Sequence, residues 1–100
     1  MDNEIKAAIK PIVDEATEKY GDNFRTVLLL LAANMSLTKV IVESLRPETR
    51  AELMVRMERN FSTTIAHLMQ FSGIKDDGTA DALFAYGDRI LNITVDQPAE

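Results

Sequence analysis

The chain has 100 residues, of which 46% are apolar, with four Gly, three Pro, no Cys, no Trp and a formal charge of −5. That length makes a single domain with a thin stability margin, burying roughly 65% of the surface its unfolded form exposes. The lack of Cys excludes a disulfide framework and a thiolate metal site, and the low Gly and Pro content excludes low-complexity disorder.

The start, Met1-Asp2-Asn3-Glu4, is acidic and has no basic-then-apolar leader pattern. The most apolar run, Val27 to Ala33, is far shorter than the ~20 residues that span a bilayer. A cytoplasmic protein with no membrane partner is expected. The sequons at Asn34, Asn60 and Asn92 fall inside predicted helices and are chance matches.

Four helices are expected, in a compact all-α domain over residues 1–94, followed by a frayed tail over 95–100. Helix A covers about 3–20, with Asp2 as N-cap and Gly21 as its stop. Ile5, Ala8, Ile9, Ile12, Val13, Ala16 and Tyr20 recur at the spacing of one helical face. Pro11 lies inside that stripe, so the helix either kinks there or divides into two.

Helix B covers about 23–45, capped by Asp22 or Asn23. Phe24, Val27, Leu28, Leu31 and Met35 form one face, and Leu30, Leu37 and Ile41 a second, which makes this helix central. Helix C covers about 47–72, with Pro47 at the first helical position, a core stripe of Met54, Met57, Phe61, Ile65 and Leu68, and Gly73 as its stop. Lys75-Asp76-Asp77-Gly78 reads as a turn. Thr79 then caps helix D, about 80–93, whose apolar face is Leu83, Phe84, Ile90 and Leu91.

Residues 26–38 and 60–72 hold no charge. Helices B and C are expected to form a central antiparallel hairpin about Arg46-Pro47, with residue 26 near 66, residue 38 near 54, and the two windows partly overlapping. Helices A and D are short, so apolar surface on helix B is expected to stay uncovered and to favour a homodimer.

Catalysis is poorly supported. One His and no nucleophile, phosphate-loop or zinc-peptidase motif leave little chemistry, and neither cofactor nor metal is expected. Asp76-Asp77-Gly78 lacks the alternating acids of a calcium loop. Met35, Met54, Met57 and Met69 are read as core packing rather than as an adaptable groove. Leu31 to Val40 has a trace of a helix-turn-helix, but its second helix offers Lys39 as its only cation, so no direct nucleic-acid contact is expected.

A protein partner is the better expectation. Charge is −3 over residues 1–22, +2 over 23–72 and −4 over 73–100, so the ends are acidic and suit a basic surface. The first candidate interface is Asp76, Asp77, Asp81 and Asp88, although Asp at a helix start also serves the helix dipole. The second is the uncharged polar strip Asn60, Thr63, His67 and Gln70, since interfaces lack charge at their centres.

The compact acidic build, the absence of Cys, Asp76-Asp77 ahead of a short acidic helix, and the opening Met1-Asp2-Asn3-Glu4-Ile5-Lys6 resemble the small phage-encoded anti-CRISPR proteins, the helical type I-F inhibitors in particular. The resemblance spans the chain and carries no motif through which functional residues could be transferred. It implies a stoichiometric inhibitor in the bacterial cytoplasm that docks on a basic surface of a CRISPR surveillance complex and blocks target DNA. The alternative is a small helical subunit or regulator, homodimeric, with a role in assembly.

Overall fold

Single residues set the helix boundaries. The computed structural model describes residues 3–73 and 78–96, with side chains described from Lys6 onward, and it is an all-α domain. The helices are α1 (Asn3–Tyr20), α2 (Asp22–Ser44), α3 (Arg50–Ser72) and α4 (Gly78–Asp96). The proposed Asp2 cap, the Ile5 side chain and the turn through Lys75, Asp76 and Asp77 lie outside the described residues.

α1 continues through Pro11 as one helix, with Pro11 exposed. Gly21 then does two jobs. Its N–H donates to Thr17 O at 2.8 Å, closing α1, and its carbonyl accepts from Arg25 N at 3.1 Å, opening α2. It does so at φ 90°, a backbone region that glycine enters without the cost a Cβ imposes. The cap position of α2 is therefore Gly21, and Asp22 is the first helical residue rather than the cap.

α3 begins three residues later than expected. Thr49, not Pro47, marks the start, with extended backbone and an Oγ1 that accepts from Glu52 N at 3.1 Å. Glu52 reaches back to accept from Glu48 N at 2.9 Å. This reciprocal threonine–glutamate arrangement satisfies two free N–H groups, whereas Pro47 at the first position only avoids one. α4 is longer than expected at both ends. Thr79 lies inside its first turn, and the helix runs through Val95 and Asp96 because Val95 is buried and Asp96 pairs with Arg50.

The core forms where four inward faces meet: Ile9, Ile12, Val13 and Ala16 from α1; Phe24, Leu28, Leu31 and Met35 from α2; Leu53, Met57, Phe61 and Ile65 from α3; Leu83, Ile90 and Leu91 from α4. α4 packs on the other three, while the backbones of α1 and α3 nowhere come within 8 Å, Cα to Cα, among the described residues. Gly87 makes the close approach feasible, since a Cβ there would lie 2.8 Å from Leu31 Cδ2 and 2.9 Å from Phe61 Cε2. Met35 and Met57 are buried in the core, and Met54 and Met69 are half-buried against it.

Two aromatics expected on core stripes lie at its margin. Tyr20 is part-exposed but stacks on Phe24, with ring centroids 4.8 Å apart. Phe84 is part-exposed and meets Phe61 edge-on at 6.1 Å.

Candidate functional site

The hairpin register follows from its hydrogen bonds. Asn60 Nδ2 donates to Thr38 Oγ1 at 2.8 Å, and Thr64 Oγ1 donates to Asn34 Oδ1 at 3.1 Å. Residue 38 thus lies opposite 60 rather than 54, because the later start of α3 moves the hairpin centre from Arg46-Pro47 to Thr49. The uncharged windows 26–38 and 60–72 therefore align along their full length instead of partly overlapping. Half of the hairpin is free of charge on both helices.

The outer face of α2 shows what this does to the surface. Between Thr26 and Leu45 its nine exposed residues are Thr26, Leu30, Ala33, Asn34, Leu37, Val40, Ile41, Ser44 and Leu45, and none is charged. On α1, six of the eight exposed positions from Lys6 to Lys19 are charged. A solvated face of the second kind is ordinary, so the first requires explanation. Leu37 is 67% exposed and Val40 68%. Leu30, Ala33, Leu37, Val40 and Ser44 recur at three and four, the seam along which one helix packs on another.

The two apolar faces expected on this helix meet different fates. α2 buries Leu28, Leu31 and Met35 inward, while its second face of Leu30, Leu37 and Ile41 meets solvent. The expected uncovered apolar surface is present.

Beside the seam runs a polar ladder. Thr64 Oγ1 is 3.0 Å from Asn60 Oδ1, and Thr38 Oγ1 donates to Asn34 O at 2.8 Å. The strip Asn60, Thr63, His67 and Gln70 is divided by this arrangement. Asn60 turns into the ladder and is half-buried, whereas Thr63, His67 and Gln70 are exposed on α3. Thr63 Oγ1 donates back to Arg59 O at 3.3 Å. At the end of the same region stands Phe71, 85% exposed, which the sequence pattern did not single out.

The acidic candidates separate differently. Asp76 and Asp77 lie outside the described residues. Asp81 and Asp88 are exposed and seven residues apart on α4, about two turns, which puts them on one face. Around them the α1–α4 side is laced with ion pairs. Arg89 Nη1 lies 2.8 Å from Glu15 Oε2, Lys19 Nζ lies 4.0 Å from Glu15 Oε1, and Lys10 pairs with Asp14 at 3.0 Å. The hydrogen bond from Arg89 holds the Glu15 carboxyl below its ordinary range. Arg50 does the same to Asp96 across a 2.6 Å contact, with Lys39 adding a smaller pull.

Lys39 departs furthest from its expected place. It is only 6% exposed, with Nζ 3.6 Å from Glu43 Oε1. The one cation that a helix-turn-helix could have offered to phosphate therefore points inward, and α2 runs unbroken through Leu31–Val40. At the hairpin tip, Glu43, Arg46, Pro47, Thr49 and Leu53 line a shallow, open depression of about 400 Å³. Among the described residues no three His, Asp or Glu side chains gather as a metal site.

α2 as a whole is long and apolar enough to cross a membrane by length and composition, with a mean hydropathy of 1.6 over its most apolar stretch. The Val27–Ala33 run understated this, because uncharged Asn34, Ser36 and Thr38 link it to Val40–Val42. The same helix packs its inner face into the core, as the central helix of a globular domain does. No protein-family model matches the chain, and no curated protein or solved structure matches it either.

Proposed function

We propose that this protein acts by binding another macromolecule through its helical surface, and not by chemistry in a cleft. The observation that carries this reading is the uncharged outer face of α2, with Leu37, Val40 and Ile41 bare on a molecule whose other long face is densely charged. Such a face contributes nothing to folding and lowers solubility, so contact is the role that accounts for it.

The specific form of the proposal is a protein-binding inhibitor of the anti-CRISPR kind, working in the bacterial cytoplasm. Its acidic groups, among them Asp81 and Asp88 on the open face of α4, meet a basic surface of a CRISPR surveillance complex and exclude target DNA. The charge distribution and the opening residues support this reading. Added to a purified type I-F surveillance complex, the chain is expected to co-elute with it and to lower its DNA binding. Asp81→Asn with Asp88→Asn slows association most at low salt, because such charges act chiefly on the encounter rate. Unchanged DNA binding by the complex rejects the inhibitor.

The bare seam of α2 favours a second reading, a small helical homodimeric subunit or regulator whose role is assembly. Affinity capture of the chain and of its Leu37→Glu variant from bacterial lysate separates these roles. A partner that is lost only by the variant places the docking on α2. One retained by the variant but lost by the α4 double variant places it on the acidic face.

A further inference from the structure

We propose that a second copy of this chain covers the α2 seam, in an antiparallel two-fold pairing centred on Leu37. The inference rests on the reading of α2 as a docking face and names its occupant. The spacing of the seam is that of a helix-packing surface, so the partner is a helix. This chain's own α2 fits the part.

Laid antiparallel about Leu37, the seam pairs large with small. Leu30 of one copy meets Ser44 of the other, Ala33 meets Ile41, and Val40 meets the shorter-reaching, ladder-bound Asn34. Leu37 meets its own counterpart on the axis. Facing positions that alternate in size interdigitate without voids. A foreign helix could match the seam in many ways, but this match is already contained in the chain.

Two further exposed residues fall into place in the same arrangement. Phe71 lies on α3 opposite the start of α2, since the register puts residue 71 level with residue 27. Leu45 lies at the other end of α2, on the flank turned toward α3 with Asn34 and Thr38. The two-fold keeps both α3 helices on one side of the α2 pair and brings Leu45 of one copy within one helical turn of Phe71 of the other along the axis. Two bare side chains, 62% and 85% exposed, then cover each other.

Area and charge agree. Leu30, Leu37, Val40, Ile41, Leu45 and Phe71 are each at least half exposed. Together they offer on the order of 500 Å² of apolar surface, and their small and polar neighbours bring a copy close to the roughly 800 Å² per partner of a standard interface. Each copy carries −5. The exposed residues of α1 and α4 carry more carboxylates than cations, so two copies would meet there with like net charge, whereas across α2 they meet on a face without charge.

The chain contains no Cys, so a single introduced thiol reports the geometry without background. The wild-type chain is expected to sediment at twice its 11.2 kDa mass. Leu37→Glu is expected to sediment as a monomer with an unchanged circular dichroism spectrum, its dissociation constant raised roughly a hundredfold or more by two apposed buried carboxylates. Leu37→Cys is expected to form a covalent dimer under mild oxidation much faster than Ser62→Cys, whose thiol lies on the exposed back of α3. A wild-type chain that stays monomeric at every concentration overturns the pairing. So does a dimer that survives Leu37→Glu, or equal cross-linking of the two thiols. A monomer that floats with neutral phosphatidylcholine vesicles, and loses them on Leu37→Glu, shows a lipid on the seam and also overturns it. A monomer that loses a captured protein on Leu37→Glu overturns the dimer while the docking reading stands.

Discussion

α2 holds the same residue type in two opposite circumstances. Leu28 and Leu31 point inward and are fully buried, while Leu30 and Leu37, a residue or two away in some cases, stand in solvent. α1 shows the usual arrangement, with Ile9, Ile12 and Val13 inside and Lys10, Asp14, Glu15, Glu18 and Lys19 outside. The difference teaches that apolarity alone does not define this core. The core is the set of apolar residues that other helices reach, and α1, α3 and α4 reach one side of α2 only. Its other side is a surface built like a core, and it stays bare until something docks.

The sharpest way to break that comparison is to truncate matched leucines. Leu28→Ala and Leu31→Ala remove fully buried side chains and should each cost about 2–5 kcal/mol, a large part of the stability of a domain this size. Leu37→Ala, measured at concentrations low enough to keep the chain monomeric, should stay within about 0.5 kcal/mol. Urea unfolding curves of the three variants check this. A large loss at Leu37 in the dilute protein would return the seam to the core of the single chain.

Gly87 tests how tightly α4 closes the inner side of α2. Valine there places methyl groups against Leu31 Cδ2 and Phe61 Cε2, and overpacking of this kind costs about 1–3 kcal/mol. Gly87→Ala gains up to about 1 kcal/mol of helix propensity against a smaller clash, so its net loss should be the lesser of the two. Thermal melts of both variants measure the order. An alanine variant more stable than wild type would mean that Leu31 and Phe61 yield easily.

The helices themselves were legible in the sequence, because Gly21 and Gly73 stop them and the apolar residues recur at three and four. The start of α3 was misplaced, since Pro47 and Thr49 are both good starts and only the Glu52 contact to Glu48 N–H decides between them. That three-residue difference moved the register and hid the full alignment of the uncharged windows. The inward turn of Lys39 was not legible either. A lysine four residues before a glutamate reads as a solvated pair, and only the packing of α2 shows that it lies inside. The two apolar faces of α2 were visible as a pattern, but which one would be covered depends on where three other helices land. Of the candidate interface residues, Asp81 and Asp88 share a face by spacing alone, whereas the inward turn of Asn60 depended on the hairpin register.

The polar ladder at the edge of the seam is the next place to press. Asn60 Nδ2 donates to Thr38 at 2.8 Å, linking α2 to α3 without charge, and Asn60 Oδ1 lies 3.0 Å from Thr64 Oγ1 within α3. Asn60→Ala removes the bond to Thr38 at a half-buried position and should cost about 1 kcal/mol, the net worth of such a hydrogen bond at a partly wet site. Asn60→Asp should cost more, since the carboxylate has no donor for Thr38 and brings a charge into an uncharged window. Chemical denaturation resolves both values. An indifferent Asn60→Ala would leave the register to apolar packing and the Thr64–Asn34 bond.

The smallest effect belongs to the charged side of the molecule and has a definite sign. Glu15 and Asp96 titrate below their ordinary values of 4.5 and 3.8 in the folded chain, chiefly through hydrogen bonds from Arg89 and Arg50. In the acid window between the folded and unfolded values, the unfolded chain binds more protons, so stability there rises with pH. The contribution is fully present above the unfolded values and is lost as pH falls through the lowered folded ones. Both pairs are solvent-exposed, so the effect is small and weakens with salt. Melting temperature followed into acid should therefore fall with a slope that Arg50→Gln and Arg89→Gln together reduce. Self-association across α2 should pass through the same window with little change, because none of the nine exposed seam positions from Thr26 to Leu45 carries a carboxylate. A dimer that weakens in step with the melting temperature in the wild type, but no longer does so in the double variant, would instead place the contact on the α1–α4 face.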